Sequence, residues 1–206
     1  MAYPTISKPY GFKPVNLVGG QVFAGATRKM QIANGYATAI GFGDLLIRVN
    51  DGTVARSAAT TAKPTGGFAG VFLGCEYINP TTGQLQFQQN YPASTTVTSG
   101  VITAYVCDDP DTLFQVAVVS GTTVVTGVQF TSIGNNATIV NNTTITAAGN
   151  SQVALLDSTA TTDTLPIRIV DVVPDTAYVS GGNTLYPEVI VKFNFGMHAY
   201  DTAVGV

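Results

Sequence analysis

Apolar and polar residues alternate at period two along most of this chain. That is the signature of strands with one buried face. Thr27 to Ile32 places Met30 and Ile32 on one face, with Lys29 and Gln31 on the other. Asp44 to Val49 is a second strand, and Asn50-Asp51-Gly52 turns it back into Thr53 to Arg56. An Asp-Gly pair supplies the positive φ that a tight hairpin turn needs. Phe68 to Ile78 is a longer apolar stretch, and Asn79-Pro80-Thr81-Thr82-Gly83 connects it to Gln84 to Gln88. Strict alternation there predicts Leu85 and Phe87 inward and the glutamines outward. Val101 to Cys107, Leu113 to Val119, Leu165 to Val173 and Leu185 to Phe195 complete the strong strands. Between them, residues 120–165 hold short apolar runs punctuated by Gly and Asn, the pattern of a sandwich or barrel. Met197 to Val206 reads as a short tail.

The first twenty residues differ. Pro4, Pro9 and Pro14 fix φ, remove amide donors and bias the preceding residues away from helix. Tyr3, Tyr10 and Phe12 are interleaved with Lys8 and Lys13, and Gly19-Gly20 ends the segment. The expectation is an extended N-terminal arm over residues 1–20 and one β-rich body over 21–206, with a possible sub-boundary near Gly121. The fold class expected is all-β, with a β-sandwich or jelly-roll-like body or a small β-barrel. The aromatics of such an arm need a surface. They can cover the core of their own body or dock on a neighbour.

Composition sharpens this reading. Of 206 residues only 10% are charged, and the net charge is −3. An average soluble domain is about 25% charged. Twenty-nine Thr and 25 Val, both β-branched, suit pleated strands. Hydrophobic residues at 45% exclude a disordered chain, and disorder stays open only for Thr122–Asn150. A pI near 4.8 argues against nucleic-acid binding. No apolar run has the length of a membrane span, and Met1 to Pro9 lacks the apolar centre of a signal peptide. The expected product is therefore a soluble chain made in the cytoplasm. Sequons at Asn136, Asn141 and Asn142 carry no weight without a secretion signal.

The search for chemistry finds little. Cys75 and Cys107 lie in apolar runs without metal-ligand spacing and read as buried reduced thiols, with a cross-strand disulfide as the alternative. His198 is the single histidine and falls in the tail, where it reads as an exposed or interface imidazole. Asp108-Asp109-Pro110-Asp111 reads as solvated turn acids, because a calcium loop supplies more ligands at set spacing. Gly41-Phe42-Gly43 lacks the third glycine and the following helix of a dinucleotide fingerprint. No catalytic, cofactor or metal residues are assigned, and no enzyme activity is expected. Lys and Glu are depleted at protein contacts because ordering and desolvating them is costly. A surface poor in them suits an assembly component.

Several segments carry a resemblance. Gly11-Phe12-Lys13-Pro14-Val15, Ala39 to Leu45, Gly70 to Cys75, Ala104 to Phe114, Ile167 to Asp171 and Tyr186 to Val191 are similar to tailed-phage virion proteins of the head decoration, or cement, type. The likeness spans most of the chain and is weakest over residues 120–165. It implies a structural protein on the exterior of a phage head, partnered by the major capsid protein and by itself as a dimer or trimer. It implies no cofactor, nucleic acid or membrane. Tyr3, Lys8, Tyr10, Phe12 and Lys13 of the arm are then the expected capsid contacts. A tail-tube or head-fibre subunit and a carbohydrate-binding β-sandwich are the competing readings.

Overall fold

A computed structural model describes residues 8–120, 130–176 and 186–206. Tyr3, Gly121 and the Gly181-Gly182 tip lie outside the described residues. The fold is all-β. Twelve strands run in chain order: β1 (Lys13–Leu17), β2 (Arg28–Ile32), β3 (Leu45–Arg48), β4 (Val54–Arg56), β5 (Phe68–Ile78), β6 (Leu85–Gln88), β7 (Ile102–Cys107), β8 (Thr112–Val119), β9 (Asn136–Val140), β10 (Ala154–Ala160), β11 (Ile167–Val172) and β12 (Glu188–Phe193). Among the described residues the only helical elements are single 3-10 turns at Phe130–Ser132 and Pro174–Thr176.

The strands form two six-stranded sheets, and the pairings close each of them. In the first, β3-β4-β2-β7-β5 is a ring closed by β3 on β5, and β6 is attached outside it. In the second, β8-β10-β9-β11-β12 is a ring closed by β12 on β8, and β1 is attached outside it. One long strand makes each arrangement possible. β5 pairs with β3 over Phe68 to Val71 and with β6 over Cys75 to Ile78. β8 pairs with β1 over Thr112 to Gln115 and with β10 over Val118 and Val119. Each ring has one parallel seam, Ile32 to Val54 in the first and Leu155 and Leu156 to Val118 and Val119 in the second. Closure removes most of the open edges that antiparallel sheets must otherwise protect.

Two buried clusters fill the rings. Met30, Ile32, Leu46, Phe72, Tyr91, Ile102 and Val106 belong to the first cluster. Phe114, Val116, Ile139, Leu155, Ile169, Val191 and Phe193 belong to the second. The second also takes in Leu45, Phe68, Val71 and Cys107 from the first ring. Alternation explains the split: Leu45 points to the second cluster and Leu46 to the first, so the first ring presses its outer face onto the second.

The arm expectation needs correcting. Phe12 is fully buried in the second cluster, edge-on to Phe114 at 6.2 Å between centroids. Lys13 to Leu17 pair with β8. Residues 12–17 are therefore part of the body. A strand containing Pro14 fits here because β1 is an edge strand, where a missing donor is tolerated. The change of ring falls at the Asp108–Asp111 turn between β7 and β8.

Leu85 and Phe87 also need correcting. Both lie outward, 58% and 66% exposed, while Gln86 and Gln88 are half-buried. The alternation is as expected and its faces are reversed. Across β5, Gln86 stands opposite the buried Tyr77, which fixes it on the inner side.

Candidate contact surface

The ionisable groups come first, because they set what chemistry the surface offers. Asp108 receives the Arg28 Nε–H at 2.5 Å and the Tyr200 hydroxyl at 2.7 Å. Asp111 pairs with Lys192 at 3.2 Å, and Asp109 Oδ1 accepts the Asp111 amide at 2.8 Å. The acidic turn thus stitches β2, β12 and the 197–201 segment together. Among the described residues no three of His, Cys, Asp or Glu converge on one point.

His198 is not exposed. It is fully buried, 5.6 Å from the Phe193 ring and 5.0 Å from the Tyr200 ring between centroids. The segment around it docks on the first ring, with the Phe68 amide donating to Met197 O and the Ala199 amide to Phe68 O, both at 2.8 Å. The Tyr200 amide donates to His198 Nδ1 at 3.2 Å, and Nε2 is buried without a partner among the described residues. Burial lowers the imidazole pKa, Asp201, Asp108 and Asp109 oppose that, and Arg48 adds to it. What reads as a tail is a clasp.

Both cysteines are free and buried. Burial pushes the Cys75 thiol up to about 12 and raises Cys107 as well. Neither is a poised nucleophile.

One buried ion pair escapes sequence reading. Arg56 Nε lies 2.9 Å from Asp44 Oδ2, with the two side chains 4% and 0% exposed. Nε is not aligned for a hydrogen bond, so the contact is ionic. Ser151 Oγ donates to Asp44 Oδ1 at 2.6 Å, and the Gly41 amide donates to Oδ2 at 2.7 Å. Arg56 Nη2 donates to Asn141 Oδ1 at 3.1 Å and to Asn142 O at 2.5 Å. Burial raises the Asp44 carboxyl, and Arg56, Ser151 and Gly41 only partly pull it back. The pair sits where the rings meet. Gly41-Phe42-Gly43 is part of the same knot: Phe42 exchanges hydrogen bonds with Gly149 and Ser151, and the Phe12 amide donates to Gly43 O at 2.9 Å. A side chain on Gly41 would meet the Ser151 amide at 2.7 Å, which is why glycine stands there.

The expected contact residues separate into groups. Lys8 is exposed and lines a surface cavity of about 370 Å³ with Pro9, Val119, Asn142, Gln152 and Tyr186. Tyr10 and Lys13 line a neighbouring cavity of about 390 Å³ with Phe42, Gln115, Asn150 and Glu188. The Tyr10 hydroxyl donates to Glu188 Oε1, and burial followed by this bond raises its pKa. Lys13 is exposed at the start of β1. Phe12 belongs to the core and offers nothing to a partner.

Protein-family models, curated proteins and solved structures contain no match to this chain.

Large apolar side chains stand exposed at Val22, Leu85, Phe87, Val101, Phe130 and Phe195, the last 89% exposed. Three of them, Leu85, Phe87 and Val101, belong to neighbouring parts of the first ring's outer side, where β6 and β7 flank β5. Glu76 on the same side accepts from Lys29 Nζ at 2.8 Å and from the Tyr105 hydroxyl at 2.7 Å. The lysine and tyrosine lower the Glu76 pKa. No helix among the described residues is long and apolar enough to cross a membrane.

Proposed function

We propose that the protein is a virion structural component that binds the outside of an icosahedral phage head and stabilises it. Its partners in this reading are the major capsid protein and further copies of itself. The observation that carries the proposal is the surface: 10% charge over the chain, with Leu85, Phe87 and Phe195 left outside the core. Exposed apolar side chains on a body with few long charged residues favour repeated protein contacts. A protein of this kind stabilises a shell by binding the assembled form in preference to free subunits. Many copies of a modest contact then sum to a large effect.

Within this reading, Lys8, Tyr10 and Lys13 border the two cavities that a capsid segment would enter. Removing residues 2–14 is not a clean test, because Phe12 and β1 hold the second ring. Removing residues 2–8 leaves those contacts in place. The test is co-sedimentation of the intact and shortened proteins with capsids, and cryo-electron microscopy of the particle. Density protruding from the head supports the proposal. Density along the tail replaces it with the tail-tube reading, and absence from particles overturns both.

A further inference from the structure

β6 is an edge strand whose outer side takes no partner among the described residues. Such edges are normally guarded by Lys, Pro, a bulge or a covering loop. Leu85-Gln86-Phe87-Gln88 has no charge and no proline. Its pairing with β5 is regular through all four residues, Ile78 to Leu85 up to Cys75 to Gln88. Leu85 and Phe87 both face solvent. We infer that β6 pairs antiparallel with β6 of a second copy of this chain, joining two first rings across a two-fold axis.

Register follows from parity. Opposed residues on antiparallel strands share a face, so a two-fold axis normal to the sheet passes midway between the two copies of one residue, which centres the register. Centred on Gln86, it sets Leu85 of each copy against Phe87 of the other. Two apolar cross-strand pairs then cover all the large apolar side chains of the strand. Centred on Phe87, it sets Leu85 against Gln89, a poorer match. Charge permits the approach. Glu76, opposite Phe87 on β5, is already neutralised by Lys29. No like charges meet across the axis.

Pairing of four residues covers less than the ~1,600 Å² of a standard interface, so the dimer is weak in solution and gains strength when copies are held close. The inference rests on the self-association in the proposed function and not on where the assembly sits. Sedimentation equilibrium of the intact protein alone is expected to show monomer and dimer exchanging with concentration. Phe87→Lys puts a cation beside Glu76 on an exposed site, so the body stays folded. It should weaken the dimer by at least about tenfold. Gln86→Cys should form a symmetric disulfide under mild oxidation, since opposed Cα atoms lie about 5 Å apart in such pairs. Val22→Cys, exposed beside Asn16 of β1, should not. A protein that is monomeric at every concentration, a Phe87→Lys variant that dimerises normally, or a Gln86→Cys variant that does not cross-link would overturn the inference. Dimerisation without capsid binding would leave it standing and remove the capsid reading instead.

Discussion

Replacing Asp44 tests how the two rings are held together. Arg56 is buried with its side chain 4% exposed, and Asp44 is its ionic partner at 2.9 Å. Asp44→Ala leaves the guanidinium with the Asn141 and Asn142 contacts and no countercharge. It also strips the Ser151 hydroxyl and the Gly41 amide of their acceptor. Breaking one side of a buried pair costs about 3–5 kcal/mol. With a urea m-value of about 2.5 kcal/mol/M, the midpoint falls by about 1.5 M. Removing both charges, as Asp44→Leu with Arg56→Met, should recover most of that loss, because an apolar pair of similar volume is often neutral. The assay is urea unfolding followed by circular dichroism and by tyrosine fluorescence together. Coincident curves establish that the rings unfold as one unit. A single variant that shifts the midpoint by less than about 0.4 M, corresponding to ~1 kcal/mol, would refute the reasoning. So would a double variant as unstable as the single one.

Four further outcomes are expected. The buried His198 has a folded pKa below its ordinary value, so its neutral form is favoured in the fold. Its stabilising contribution is complete above about pH 6.5 and is lost as pH falls through the lowered folded value. Thermal melts between pH 7 and 5 should therefore show a steeper loss for the intact protein than for His198→Gln, and parallel losses would refute this. Gly43→Ala places a Cβ 2.8 Å from the Phe12 amide at a φ of +89°, and should destabilise the fold by at least about 2 kcal/mol in the same urea assay. Cys75 and Cys107 should resist iodoacetamide at pH 8 in the folded protein and both react in urea, as read by mass spectrometry; rapid labelling of either without denaturant would contradict their burial. Removal of residues 2–14 should lower the melting temperature much further than removal of 2–8, because only the longer deletion takes Phe12 from the core.

Strands were readable wherever apolar residues alternated between turn residues. β2 to β4 and the hairpin from β5 to β6 follow that pattern closely. Period two fixes which residues share a face and leaves open which face is inside. Alternation alone therefore puts Leu85 and Phe87 on the wrong side: the buried Tyr77 across the ladder decides it, and cross-strand partners are invisible in one sequence. β1 was hidden by Pro14, which reads as a breaker and is harmless on an edge. β10 was hidden because Ala154 and Leu155 are buried in succession instead of alternately. The Asp44–Arg56 pair could be seen as two charges near strand ends. Apart from the nearby Gly41 amide, its partners Asn141, Asn142 and Ser151 come from the segment between β9 and β10 of the other ring, and no local pattern connects them. The clasp at His198 is hidden for a related reason. A polar residue after the last strand reads as solvated, and only the Phe68 and Phe193 rings make it a core residue.

The crossed attachments of the first and last described segments bear on how the chain is made. β1 precedes the first ring in sequence yet belongs to the second, and Met197 to Ala199 follow the second ring yet hydrogen-bond to the first. On a ribosome, β1 emerges early with only the local bridge from Asn16 to Val22, and its strand partner in the second ring, Thr112 to Gln115, follows much later. The first ring can assemble from β2 to β7 during that interval, but the cluster around Phe68 and Phe12 is completed only after Phe193 has been synthesised. Each ring is thereby tied down by a strap from the far end of the other. A force that pulls the rings apart must open both straps first.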